Sequence, residues 1–211
     1  TVWSKGEKLI LGCMILLFIS TGGYIYYNTN IVNEYLISDV AYDFNENYER
    51  KYKKYDALAV PQLVSVNTRV AIYPEGNSYR IEANNHIANK SSSSMHEIFV
   101  TAPLPLTSLT IEHATQVFHD SDMNTYLFKL DSPLAPDQEL NMEYSLEEKA
   151  TPFKINNSIA RNGTYLKTAH FSPFLGYVNQ FEIKYAYERE KRGLPVRDDA
   201  TVDDTHLQNG G

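Results

Sequence analysis

Met95-His96-Glu97-Ile98-Phe99-Val100 carries the first two residues of a metal-hydrolase pattern. In His-Glu-x-x-His on a helix, two histidines one turn apart hold a zinc ion, and the glutamate between them acts as general base on the bound water. The second histidine would fall at residue 100, which is Val100. The setting is also wrong for a helix, because Ile98, Phe99 and Val100 favour a pleated strand and Pro103 closes the segment. The stretch reads as a strand.

The other histidines, His86, His113, His119, His170 and His206, form no pair at helical spacing and no ligand cluster along the chain. No nucleophile elbow, phosphate-binding loop or dinucleotide fingerprint occurs. Glu147 and Glu148 adjoin Lys149 and read as a solvated strand end. The densest unusual stretch is 161–177, where Asn162-Gly163 signals a tight turn and Phe171, Pro173, Phe174, Gly176 and Tyr177 gather on a loop. It is either a structural corner or a binding surface. Asn162-Gly163-Thr164, Asn89-Lys90-Ser91 and Asn156-Asn157-Ser158 also match the glycosylation sequon.

The elements that would position these residues begin with a membrane span. Residues 9–27 carry no charge, about the length a helix needs to cross a bilayer core. Tyr24, Tyr26 and Tyr27 cluster at one end, and Lys5 and Lys8 flank the other. That asymmetry predicts a cytoplasmic N-terminus with the rest of the chain outside. In 34–57, Phe44, Tyr48, Tyr52 and Tyr55 recur at helical spacing among charges, which predicts an amphipathic stalk helix with an aromatic packing face.

After Pro61 the period becomes two. Val64, Val66, Val70 and Ile72 alternate with polar residues up to Pro74-Glu75-Gly76-Asn77, then Tyr79, Ile81 and Ala83 resume, which predicts a hairpin. Further strands are expected around Leu109, Val117, Tyr126 and Leu140 to Leu146, and a helix over 180–191 stopped by Arg192-Gly193-Leu194-Pro195. The expected fold is mainly β, an antiparallel sandwich or saddle over 61–199. It follows a transmembrane segment with flanks over 1–30 and the stalk over 31–60, and a polar linker over 200–211 ends the chain.

Composition supports a folded, aromatic core. Hydrophobic residues make up 43% of 211, with 16 tyrosines and 9 phenylalanines, so a large aromatic-rich core is expected rather than disorder. A net charge of −7 without a basic stripe argues against nucleic acid as a partner. Cys13 is the sole cysteine, so no internal disulfide can form. Only Leu9 to Leu11 precede the Gly12-Cys13 pair as apolar sequence, too few for a lipoprotein signal. The chain opens at Thr1 and closes on a polar run, and it reads as a segment of something longer.

The order of phrases carries a resemblance. A membrane helix, YERKYKKY, PQLVSVNTRVAIYPEGNSYRIEA, LDSPLAPDQELNMEYSLE, NGTYL, FSPFLGY and RGLPVRD together resemble the extracytoplasmic part of bacterial fusions joining an ABC-type permease to an aminopeptidase N family zinc peptidase. The similarity covers about residues 8 to 199. It implies an inner-membrane protein with a periplasmic, non-catalytic saddle domain. Zinc and the His-Glu-x-x-His helix would belong to a downstream catalytic domain of the same chain, and none to this segment. It also implies that Asn162, Gly163 and Thr164 occupy the place where the family lines its peptide channel, although the pocket glutamine of that family is not reproduced. The implied partners are the downstream domain, the membrane and a peptide substrate. A docking or sensing module of a transporter without peptidase activity is the alternative, and a single-pass protein with an unrelated β sandwich is the plainer one.

Overall fold

The computed structural model describes residues 4–32, 38–151, 158–160 and 163–197. It is a mixed structure, with one long apolar helix, two four-stranded sheets and a small ribbon. The first sheet has the order β1 (Gln62–Tyr73), β2 (Ser78–Ala88), β7 (Glu139–Lys149), β4 (Ser108–Ile111). The second runs β10 (Phe174–Leu175), β3 (Met95–Thr101), β6 (Thr125–Leu134), β5 (Ala114–Asp120). β8 (Ile159–Ala160) pairs with β9 (Gly163–Thr164). The chain falls into two compact units: Thr1–Leu36, Val70–Arg80 and Glu147–Leu166 form one, and Ile37–Arg69, Ile81–Leu146 and Lys167–Gly211 the other.

In the first unit, α1 (Lys5–Tyr27) begins at a capping box. The Glu7 amide donates to Ser4 Oγ at 3.2 Å and the Ser4 amide donates to Glu7 Oε2 at 2.6 Å. Together with the π turn Asn28–Val32, α1 forms a helix long and apolar enough to cross a membrane, with mean hydropathy 2.0. Its 23 residues span about 35 Å at about 1.5 Å each, against a hydrocarbon thickness of about 30 Å. Helix ends leave carbonyls without partners, an acute problem near lipid. Asn28 Nδ2, Thr29 Oγ1 and Asn30 Nδ2 answer it by donating to the carbonyls of Tyr24, Ile25 and Tyr26. The hairpin turn follows the expected Pro74-Glu75-Gly76-Asn77, with Asn77 in the left-handed region at φ 47°.

The second unit is built around α2 (Ser38–Tyr52) and the second sheet. Of the helix expected over 34–57, α2 covers Ser38–Tyr52 and the chain then tightens into a 3-10 turn over Lys53–Tyr55, while residues 33–37 lie outside the described residues. The aromatic spacing does its expected work. Tyr48 and Tyr52 are buried and pack with Phe99, Met123, Leu127 and Val178, with Tyr55, Phe118, Tyr177 and Phe181 around them. Tyr55 stacks on Phe99 at 4.7 Å and Tyr48 on Tyr177 at 5.1 Å. Burying a side chain of this size contributes roughly 1.5–3 kcal/mol. β3 loses strict alternation because Ile98, Phe99 and Val100 are all buried. With Phe99 turned to α2, its neighbours serve the opposite face, as in strands covered on both sides.

One expected element is corrected. The helix predicted over 180–191 is confined to α3 (Ala186–Lys191), preceded by a 3-10 turn at Asn179–Phe181 and extended backbone at Glu182 and Tyr185. Ile183 and Glu182 are both drawn into the interior, and that burial overrides the local helical preference. The stop is as expected. Gly193 takes φ 64°, its amide donates to the Glu190 carbonyl and the Leu194 amide reaches back to Arg189, the paired bonds of a glycine-terminated helix.

Candidate functional site

The residues singled out from sequence do not converge. His96 is exposed on β3, beside a bulge between Met95 and Glu97, and Val100 is buried opposite Tyr126 and Leu175. His119 stacks flat on Tyr126 at 4.2 Å, and His113 Nε2 lies 3.4 Å from Glu112 at a left-handed turn. His206 lies outside the described residues. Among the described residues no three His, Cys, Asp or Glu side chains gather as metal ligands. The donor set among the described residues does not fit zinc.

Gly163 and Thr164 form β9, with Ala160 opposite Gly163 and Ile159 opposite Thr164, while Asn162 lies outside the described residues. Gly163 is exposed, and a Cβ there would meet nothing within 4 Å. Among the sequons, Asn89 is fully buried. Its Nδ2 donates to the carbonyls of Ser93 and Leu134, both at 2.8 Å, and its Oδ1 accepts from the Ser91 amide and hydroxyl. Asn89 organises the loop before β3. Asn156 and Asn157 lie outside the described residues.

The densest charge lies in a cleft of about 400 Å³ in the second unit, lined by Glu49 and Lys53 from α2 and its following turn, Asn179, Glu182, Arg189 and residues 195–197. Arg189 binds Glu49 in a two-bonded pair and also donates to the carbonyls of Ile183 and Pro195. Lys53 Nζ stands 2.6 Å from Glu182, and Arg197 is 3.6 Å from the same carboxylate. Burial draws the Lys53 ammonium down, but the hydrogen bonds it donates to Glu182 and Asp56 outweigh that and leave its pKa raised. Burial and the Glu182 carboxylate push the Tyr177 phenol well above its ordinary range. Arg192 pairs with Asp43 and Glu46. The carboxylates of this cleft are held by cations, so the arrangement is a clamp fastening α3 to α2. Sequence reasoning missed it; the one visible signal is Glu49 beside Tyr48, on the buried side of an amphipathic helix.

Among the described residues the second unit also contains an outer strand. β1 ends the order of the first sheet, and over 62–69 Leu63, Val64 and Val66 are 44%, 49% and 50% exposed. On β2, the next strand in, Ile81, Ala83 and Ile87 of this unit are buried. An outer strand carries one row of N–H and C=O groups with which an extended chain can pair. The chain matches no family model, and no curated protein is similar to it. The class the structure defines is therefore the coarse one: a β-sheet protein with one helix long enough to cross a membrane.

Proposed function

We propose that this chain is the membrane-tethered, non-catalytic β domain of an aminopeptidase N-like zinc metallopeptidase fused to an ABC-type permease. It packs as a β sandwich on a downstream catalytic domain, closes one wall of the peptide channel from the periplasmic side of the inner membrane, and leaves zinc chemistry to that domain. An exopeptidase needs such a wall because choosing a free peptide end requires excluding internal chain. The observation that carries this reading is one chain combining a span-length apolar helix with a unit whose cleft carboxylates Glu49 and Glu182 are paired with cations and in which, among the described residues, β1 is an outer strand. The ordered phrases from YERKYKKY to RGLPVRD support the choice of family. Gly163, which is exposed, Thr164 next to it in the β8–β9 ribbon, and Asn162 before them in sequence are the residues assigned to the channel wall.

The test is an aminoacyl-reporter assay with zinc on the chain as it stands and on the chain extended by the sequence encoded after it. Hydrolysis by the extended protein alone is expected. Turnover by the shorter chain sinks the division of labour, and an extended protein that binds no zinc and cleaves nothing sinks the peptidase assignment.

A further inference from the structure

We infer that residues 62–69 of β1 form a strand-addition surface for another polypeptide domain. The segment it takes is extended, apolar on the face that meets Val64 and Val66, and polar on the other, where it carries a carboxylate opposite Arg69. This rests on the reading above and adds the partner's chemistry to it.

The backbone dictates the shape of the occupant. Among the described residues β1 is the outer strand of its sheet, and an extended chain is what pairs with the outward row of amides and carbonyls such a strand carries. Natural edges are blunted by lysine, proline, inward charges or short length. β1 runs 12 residues with no proline and with Arg69 as its one charge, about twice the usual strand length. Successive side chains point to opposite faces, so Leu63 lies on one face and Val64 and Val66 on the other, all exposed.

Charge selects among occupants. Arg69 is the only charge on β1; it is exposed and makes no ion pair among the described residues. Opposite charges facing each other across strands stabilise a pair, and like charges destabilise it. A second copy of β1 carries no carboxylate to offer and in parallel register would set arginine against arginine. The geometry therefore favours a different, acidic strand.

The experiment uses the full chain in detergent micelles and the synthetic peptide Thr-Val-Thr-Val-Glu-Val-Thr-Val-Thr, with a lysine-for-glutamate peptide as control. Hydrogen exchange should show protection of the backbone amides of 62–69 by the acidic peptide, which binds up to about fivefold more tightly than the lysine peptide. Arg69→Glu should reverse that preference. Val64→Lys with Val66→Lys should abolish binding without changing the circular dichroism or melting of the chain, and if that pair fails to fold, Arg69→Glu decides alone. Absence of binding, protection at another segment, equal affinity for both peptides, or a peptide-free dimer protected at 62–69 would each overturn the inference. An extended protein that hydrolyses reporter with 62–69 unprotected overturns it and leaves the proposed function standing. Protection by peptide without any hydrolysis in the extended protein does the reverse.

Discussion

Arg189 grips Glu49 with both arms of its guanidinium, Nη1 to Oε2 at 2.9 Å and Nη2 to Oε1 at 2.7 Å, and each side chain is only 5% exposed. Removing one partner of such a pair strands the other charge in the interior, at roughly 3–5 kcal/mol. Glu49→Gln should therefore lower the urea midpoint of the second unit sharply, read from near-ultraviolet tyrosine dichroism. Glu49→Leu with Arg189→Met should recover part of the loss. Recovery stays partial because Arg189 also satisfies the carbonyls of Ile183 and Pro195. Equal stability of the single variant and the parent would show that water reaches the pair.

Asp120 sets a dependence on pH at both ends of the range. Burial alone would raise its pKa, but the Tyr52 hydroxyl and the Lys51 ammonium hold its carboxyl below the ordinary 3.8. A carboxyl depressed on folding contributes stability that is complete above its unfolded value and lost as the pH falls through its folded value. Tyr52 behaves in the opposite sense. Burial, then the bond to Asp120, pushes its phenol from 10.0 to about 12. That contribution is complete below the unfolded value and disappears as the pH rises toward about 12. Melting temperatures taken across the acid and alkaline limbs should show both losses, and Tyr52→Phe should flatten both. A tyrosinate absorbance titration with no late-ionising tyrosine would contradict the alkaline half.

Much of this architecture was legible in the sequence because local periodicity reports which face of an element is apolar. The uncharged run at 9–27 became α1, and the stripe through Tyr48 and Tyr52 became the buried face of α2. The alternation at Leu140, Met142, Tyr144 and Leu146 became the buried face of β7. Pairings between distant residues were not legible. Glu49 and Arg189 are 140 residues apart, and no local pattern joins them. The helix expected from 180 failed for a related reason, since Ile183 is fixed by tertiary burial and not by its neighbours. The alternating apolar pattern of β1 resembles that of β2, yet Val64 and Val66 are exposed while Ile81 and Ala83 are buried. Periodicity gives the phase of a strand and says nothing of whether a neighbour covers it.

Gly176 is required by two independent constraints. Its φ is 86°, and a Cβ built there would stand 2.6 Å from Val60 Cγ2. Alanine at a positive φ destabilises a fold by more than about 1 kcal/mol, and the contact with Val60 adds to that. Gly176→Ala should be clearly destabilised in chemical denaturation. Adding Val60→Ala should relieve only the steric part, because the backbone strain remains. Complete rescue by the second substitution would show that φ at residue 176 relaxes freely.

Tyr48 joins α2 to the second sheet through one hydroxyl as well as through its ring. The Val178 amide donates to the Tyr48 oxygen at 2.9 Å, and that oxygen lies 3.0 Å from Thr101 Oγ1. Thr101 Oγ1 donates in turn to the Gly176 carbonyl at 3.5 Å, which leaves Tyr48 as donor to Thr101. All of these bonds are buried, and burial raises the Tyr48 phenol above its ordinary pKa, so it remains a neutral donor at physiological pH. Tyr48→Phe keeps the stack on Tyr177 and the edge contact with Phe181 but orphans the Val178 amide. An unsatisfied buried donor costs about 1–3 kcal/mol. The expected result is a loss of that size, with faster hydrogen exchange at the amides around 176–178 and unchanged exchange in α1. Thr101→Val, which removes the second acceptor and keeps the shape, should be milder, because Tyr48 still receives the Val178 amide. If Thr101→Val proves the more damaging of the two, the relay runs from the strand outward and the tyrosine serves mainly as a ring.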